Sequence, residues 1–235
     1  RHPLETDDKH QQVSRKRTRL QDIFEIENGG ITNYYGVAGD PIVLVLHDWY
    51  GRLEPLAPLA QAIANQGYYV AVPDFFGGVA TLSDASAESL VDQLNADAAL
   101  AAIVRIVEDA RASGSSRVGF LGFSLGGWLA LGAAQLGIAD AVIAYYSILD
   151  DASHGIIPAP VMLHIVEDDP WTPTDETDAF VHRLLDAKTT VVNHIYRDVK
   201  HNFANAAITD KVDVSAAQLA YSRSVLFLND HLKGF

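Results

Sequence analysis

The sequence predicts an α/β chain, a doubly wound and mostly parallel sheet with an antiparallel hairpin at its N-terminal edge. Three observations carry this. From Pro41 onward, short apolar runs alternate with segments of helical spacing, the pattern of repeated βα units. One of the runs, Ile42-Val43-Leu44-Val45-Leu46, is apolar at every position, as a strand covered on both faces must be. Asn28-Gly29-Gly30 stands between the strand-like runs 23–26 and 31–37, a turn signal for a hairpin.

Taken in order, residues 1–21 are polar and include the basic run Ser14-Arg15-Lys16-Arg17-Thr18-Arg19. They are expected to form a peripheral arm, with 22–235 as one domain. After the hairpin, 41–46 is a strand, 47–51 a loop, and 53–66 a helix ended by Gly67. Strand 68–72 is closed by Pro73-Asp74, and 75–85 is irregular. Residues 86–113 read as one long Ala-rich helix ended by Gly114. Strand 117–121 leads to a helix-like Ala/Leu run, 128–136. Strands follow at 139–145 and 160–166, then helix 174–187 with Thr174 or Asp175 as cap. The last strand is 190–196, and 212–232 is a closing helix. In such a sheet the functional loops emerge at the carboxyl ends of the strands.

Composition narrows the function. Seventeen basic against 30 acidic residues give a net charge of −13, which argues against a nucleic-acid partner and against an anionic membrane. Hydrophobic residues make up 49% of the chain, enough for a sizeable core. There is no cysteine, so disulfides, thiolate metal sites and a thiol nucleophile are excluded. No apolar run approaches the ~20 residues that span a bilayer. A cytoplasmic protein is expected, with the start at Arg1 leaving room for a removed leader.

Gly122-Phe123-Ser124-Leu125-Gly126 carries the chemistry. It lies between a strand-like and a helix-like run, the context of a nucleophile elbow. A strained turn there lifts the Ser124 hydroxyl over a helix N-terminus, and side chains two positions either side would crowd it. A serine hydroxyl needs a base within hydrogen-bond reach and a third group to orient that base. Of the histidines after Ser124 (His154, His164, His182, His194, His201 and His231), His201 follows the last strand in a loop on the same sheet edge. His164 and His194 fall inside strands, His182 and His231 on helices. The acid belongs in Glu167-Asp168-Asp169-Pro170, where local chemistry leaves Asp168 and Asp169 nearly even. Backbone donors for an oxyanion are expected from Leu125 and from Trp49, in the loop after strand 41–46. These acids and His164 lack metal-ligand spacing, so neither a metal nor a cofactor is expected.

Together, His47-Asp48-Trp49-Tyr50-Gly51, Gly67-Tyr68-Tyr69-Val70 with Pro73-Asp74, the elbow with Gly127, 167–173 and His201-Asn202-Phe203-Ala204-Asn205 resemble the dienelactone hydrolase family of α/β-hydrolases. The likeness runs from about residue 22 to the C-terminus. It implies the α/β-hydrolase fold and selects Asp169, four residues before the second proline of the acid loop. It implies a triad of Ser124, Asp169 and His201, and cleavage of a small-molecule ester or lactone through an acyl-enzyme. Three departures bear on substrate. The family's type enzyme has a cysteine nucleophile where this chain has Ser124, a glutamate where it has Asp48, and two arginines for a substrate carboxylate. The matching positions here are Phe75-Phe76-Gly77-Gly78 and Asn205, none basic. Burying an anion without a cation is unfavourable, so a neutral ester is expected. Asp48, Tyr50, Phe75, Phe76, Trp171 and Phe203, beside Trp49, are candidates to line the pocket. An acyltransferase using the same acyl-enzyme, or a non-catalytic binding module on the same scaffold, are the alternatives. Oligomeric state is left open.

Overall fold

The computed structural model describes residues 22–233, and the arm expected over 1–21 lies outside them. In chain order the strands are β1 (Ile23–Glu25), β2 (Asn33–Tyr35), β3 (Ile42–Leu46), β4 (Tyr69–Val72), β5 (Val79–Thr81), β6 (Val118–Phe123), β7 (Ala141–Tyr145), β8 (Val161–Val166) and β9 (Val191–Tyr196). The helices are α1 (Leu56–Ala64), α2 (Asp84–Asp92), α3 (Ala96–Ala112), α4 (Leu125–Ala134), α5 (Thr174–Asp186) and α6 (Val214–Leu232). Seven strands form the central sheet in the order β2-β4-β3-β6-β7-β8-β9. Every neighbouring pair is parallel except β2 with β4. This is the predicted doubly wound, mostly parallel sheet with an antiparallel edge.

Both faces of the sheet are covered, and its inner strands β3, β6, β7 and β8 are buried at every position. Ile42, Leu44 and Leu46 pack with Ile103 and Val107 of α3, Leu129 of α4 and Phe180 of α5. Val43 and Val45, pointing the other way, pack with Ile63 of α1 and with Phe227 and Leu228 of α6. Helix α3 buries Ala99, Ile103, Ile106, Val107 and Ala110, one stripe at helical spacing. Helix α4 is apolar nearly all round and buried on most sides. No described helix is long and apolar enough to cross a membrane.

Three local expectations are corrected. The runs flanking Asn28-Gly29-Gly30 do not form a hairpin with each other. Strand β1 pairs antiparallel with β5, in a stretch expected to be irregular, and β2 pairs with β4. The cause is long-range: the guanidinium of Arg52 donates to the carbonyls of Glu27, Asn28, Ile31 and Val72. It draws the turn around itself and the two strands apart. Gly29 meets Gly78 so closely that a Cβ would stand 2.6 Å from the Gly78 Cα. Second, the helix expected over 86–113 is two helices. Asn95 caps α3, its side chain accepting from the Ala98 N–H at 3.0 Å. Third, α5 has Pro173 at its N-cap with no side-chain cap bond, so neither Thr174 nor Asp175 caps it.

Candidate active site

Strand β6 runs between β3 and β7 and ends at Phe123. Ser124 then takes φ +50° and ψ −109°, a left-sided conformation costly for a side-chain-bearing residue. The flanking glycines make this turn possible. A Cβ on Gly122 would lie 2.1 Å from the Gly126 carbonyl oxygen, and one on Gly126 would lie 2.2 Å from that of Leu46. The constraint at Gly126 is therefore the neighbouring strand β3, not the serine. The Ser124 N–H bonds the Tyr145 carbonyl at 2.9 Å, and its own carbonyl accepts from Trp128 at 2.9 Å. The hydroxyl is thereby set at the start of α4.

The Ser124 Oγ lies 2.7 Å from His201 Nε2, and His201 Nδ1 lies 2.6 Å from Asp169 Oδ2. With Nδ1–H donating to the carboxylate, Nε2 is left to accept the serine proton. Asp169 is 3% exposed, whereas Asp168 is exposed and stands at φ +57°. That left-handed residue turns the chain so that Asp169 faces inward. Asp169 also accepts from the Trp171 N–H at 3.0 Å and the Thr172 hydroxyl at 3.3 Å. A carboxylate satisfied by three donors is an ordered partner for the imidazole.

The loop bearing His201 is held from below. Asn202 and Asn205 donate their side-chain amides to Asp48 Oδ2 at 3.2 and 2.8 Å, and the Tyr50 N–H donates to Oδ1 at 2.9 Å. Burial raises the Asp48 pKa to about 6, against the lowering effect of Asn205 and the Tyr50 N–H. His47 is also sealed. Its Nδ1–H donates to the Asp48 carbonyl at 2.7 Å and its Nε2 accepts from the Phe75 N–H at 3.0 Å. Burial holds its pKa down to about 4, so it is a neutral structural histidine.

A cleft of about 430 Å³ opens over Ser124 and His201 and is lined by Trp49, Leu125, Tyr146 and Trp171 among others. Leu125 begins α4, where first-turn N–H groups have no helical acceptor. The Trp49 and Trp171 rings meet edge-on at 5.6 Å. Five candidates for the pocket, Tyr50, Phe75, Phe76, Phe203 and Asp48, lie elsewhere. Tyr50 is fully buried, its hydroxyl bonded to Asp84 and to Lys211. Phe75 and Phe76 pack on His47, at 5.2 and 4.9 Å between ring centres. Phe203 is fully buried against Tyr146 and Tyr196. Their apolar surface is spent on these packing partners rather than on the cleft. Asp48 reaches the wall of a separate, mostly apolar cavity of about 540 Å³ near α6, not the cleft.

The structure adds lining residues that the sequence did not point to: Trp128 on α4 and Glu88, Val91 and Asp92 on α2. The α2 residues share one face by helical spacing, but only the three-dimensional path of α2 aims that face at Ser124. Among the described residues, no group of three His, Asp or Glu is placed to hold a metal ion.

The sequence profile of the dienelactone hydrolase family matches residues 34–232. Protein usf of Aquifex pyrophilus is 27% identical over 209 residues, covering 83% of this chain and 90% of its own. The carboxymethylenebutenolidase of Pseudomonas putida is 23% identical over 214 residues, covering 85% and 90%. A dienelactone hydrolase-like promiscuous phosphotriesterase from metagenomic libraries superposes with a TM-score of 0.75 at 16% identity, covering 89% of this chain and 99% of that one. A carboxylesterase of Lactobacillus plantarum superposes with a TM-score of 0.62 at 15% identity, covering 88% and 96%. These two structures share the fold.

Proposed function

The chain belongs to the dienelactone hydrolase family, and from that premise we propose that it is a carboxylic-ester hydrolase using Ser124 as nucleophile, His201 as base and Asp169 as the group that orients it. The observation that carries this is the row Asp169–His201–Ser124, with contacts of 2.6 and 2.7 Å, at the floor of an open cleft. His201 takes the Ser124 proton as Oγ attacks the ester carbonyl carbon. The resulting oxyanion accepts hydrogen bonds from the N–H groups of Leu125 and Trp49. Collapse breaks the C–O bond, and the leaving alkoxide receives the proton from His201. A water then gives its proton to His201 and attacks the acyl-enzyme, releasing the acid and restoring Ser124.

The substrate is neutral at its reacting end rather than anionic. Among the described residues, no lysine or arginine lines the cleft, and Asn205, where an arginine would stand in the family's type enzyme, spends its amide on Asp48. An anion there would be desolvated without a cationic partner. The test is a panel of short esters and lactones pairing neutral with anionic members of equal size. Ser124-dependent turnover of the neutral members should exceed that of the anionic ones. A preference for the anionic members would sink the substrate claim, and turnover unchanged in Ser124→Ala would sink the mechanism.

A further inference from the structure

We propose that the outer wall of the cleft selects esters that carry an organic ammonium group on the part remote from the reacting carbonyl. This rests on the serine-hydrolase reading above and narrows its substrate to one uncharged at the ester and cationic at the far end.

The wall combines three indoles, Trp49, Trp128 and Trp171, with two carboxylates, Glu88 and Asp92. Trp128 and Trp171 are 36% and 63% exposed. Large aromatic faces left in water beside a reactive centre mark a surface that a ligand covers. Indole faces draw organic cations more than other aromatic rings do. The carboxylates are electrostatically misplaced for the helix alone. Glu88 and Asp92 stand four residues apart on α2, a like-charge pair that weakens a helix. Asp92 is also the last residue of α2, at the negative end of its dipole, in a last turn without a basic residue.

Among the described residues, neither carboxylate has an ion-pair or hydrogen-bond partner. Lys211 approaches the Trp49 ring, its Nζ 5.9 Å from the ring centre. It is committed elsewhere, 2.9 Å from Asp84 Oδ2 and 2.6 Å from the Tyr50 hydroxyl, and it does not line the cleft. Among the described residues of the lining, His201 is the one titratable base, and its nitrogens are taken by Ser124 and Asp169. Among the described residues, the wall therefore presents negative charge and π-faces with no cation to answer them. The net charge of −13 adds long-range attraction for the same class of ligand.

The experiment compares a 2-(trimethylammonio)ethyl ester with its carbon isostere, the 3,3-dimethylbutyl ester of the same acid. It uses wild type, the double variant Glu88→Gln/Asp92→Asn, and Ser124→Ala as the zero. Both substituted α2 residues are exposed, so the fold is kept. In wild type the cationic ester should have a kcat/KM about tenfold above the neutral one, falling with added salt. In the double variant the ratio should drop to about two, leaving the indoles' share. Equal rates in wild type, or an unchanged ratio in the double variant, overturn the proposal while leaving the hydrolase reading intact. If neither ester shows Ser124-dependent turnover, the hydrolase reading fails instead. Quenching of indole fluorescence by tetramethylammonium ion then decides the proposal: saturable binding weakened in the double variant supports it, and its absence overturns it.

Discussion

Ser124 and Ser224 each contact a histidine nitrogen, at 2.7 and 2.9 Å, yet the two assemblies are built for opposite ends. His201 sits in a loop with a carboxylate on its far nitrogen and a cleft on its near side. His164 sits in β8, fully buried, with the Tyr196 hydroxyl 2.7 Å from its Nδ1. Ser224 donates to the carbonyl of Ala220 one turn earlier in α6, at 2.7 Å. Its proton is thus committed to the backbone, so His164 Nε2–H must donate to it, and Nδ1 accepts from Tyr196. The Tyr145 hydroxyl, 2.9 Å away, completes the same oxygen. Burial, then His194 and Arg223, keep the His164 pKa well below the usual range. A serine–histidine contact alone therefore makes no nucleophile. The hydroxyl proton must be free to move to the imidazole, a carboxylate must stabilise the cation that forms, and a substrate must be able to reach the oxygen.

The largest test of this contrast removes each hydroxyl. Ser124→Ala should lower kcat for a short aryl ester by on the order of 10⁶-fold with unchanged unfolding. Ser224→Ala should leave kcat/KM of the folded enzyme within about twofold. It should lower the unfolding free energy by about 1–3 kcal/mol, because His164 N–H and Tyr145 lose their buried acceptor. Urea titration and ester assay on both variants read this, and loss of activity in fully folded Ser224→Ala would break the comparison.

A smaller effect falls on the orienting groups. Asp169→Asn should cost about 10⁴-fold in kcat by favouring the wrong imidazole tautomer. Tyr196→Phe, the parallel change beside His164, should be read only in stability, at about 1 kcal/mol.

The last expected effect, on pH dependence rather than on turnover, concerns the support beneath the His201 loop. Asp48, with its pKa raised to about 6, keeps its proton in the fold where the unfolded chain has lost it. Its contribution to stability therefore falls as pH rises from about 4 to about 6. His47, held down to about 4, stays neutral where the unfolded chain, with a pKa of 6.5, takes up a proton. Its contribution falls as pH drops through the same window, so the two slopes oppose. Asp48→Asn removes the first, and unfolding free energy should then rise more steeply with pH from 4 to 6, by on the order of 2–3 kcal/mol over the window. Equal slopes in the two proteins, measured by urea titration at several pH values, would show that Asp48 does not titrate this way.

Legibility followed the range of the interactions. Strands β3, β6, β7 and β8 were readable because burial on both faces leaves them apolar at every position but His164. The elbow was readable because its two glycines answer contacts with backbone next to Ser124 in sequence or in the adjacent strand. The Asn95 cap was also in the sequence, and the Ala-rich stretch around it masked the signal. The pairing of β1 with β5 was not readable, since it depends on Arg52, at 6% exposure, collecting carbonyls from four separate residues.

By itself, the sequence determined the parallel sheet, the strained serine turn and the histidine loop, because each rests on local patterning and on the residue types its chemistry demands. Only the tertiary structure supplied the turn that faces Asp169, the acid the family resemblance selects, inward, and only it decided which aromatics reach the cleft. It also decided that the acidic face of α2 looks onto Ser124. Those outcomes depend on one positive φ at Asp168 and on how distant segments pack over the sheet edge. No run of neighbouring residues encodes such an arrangement.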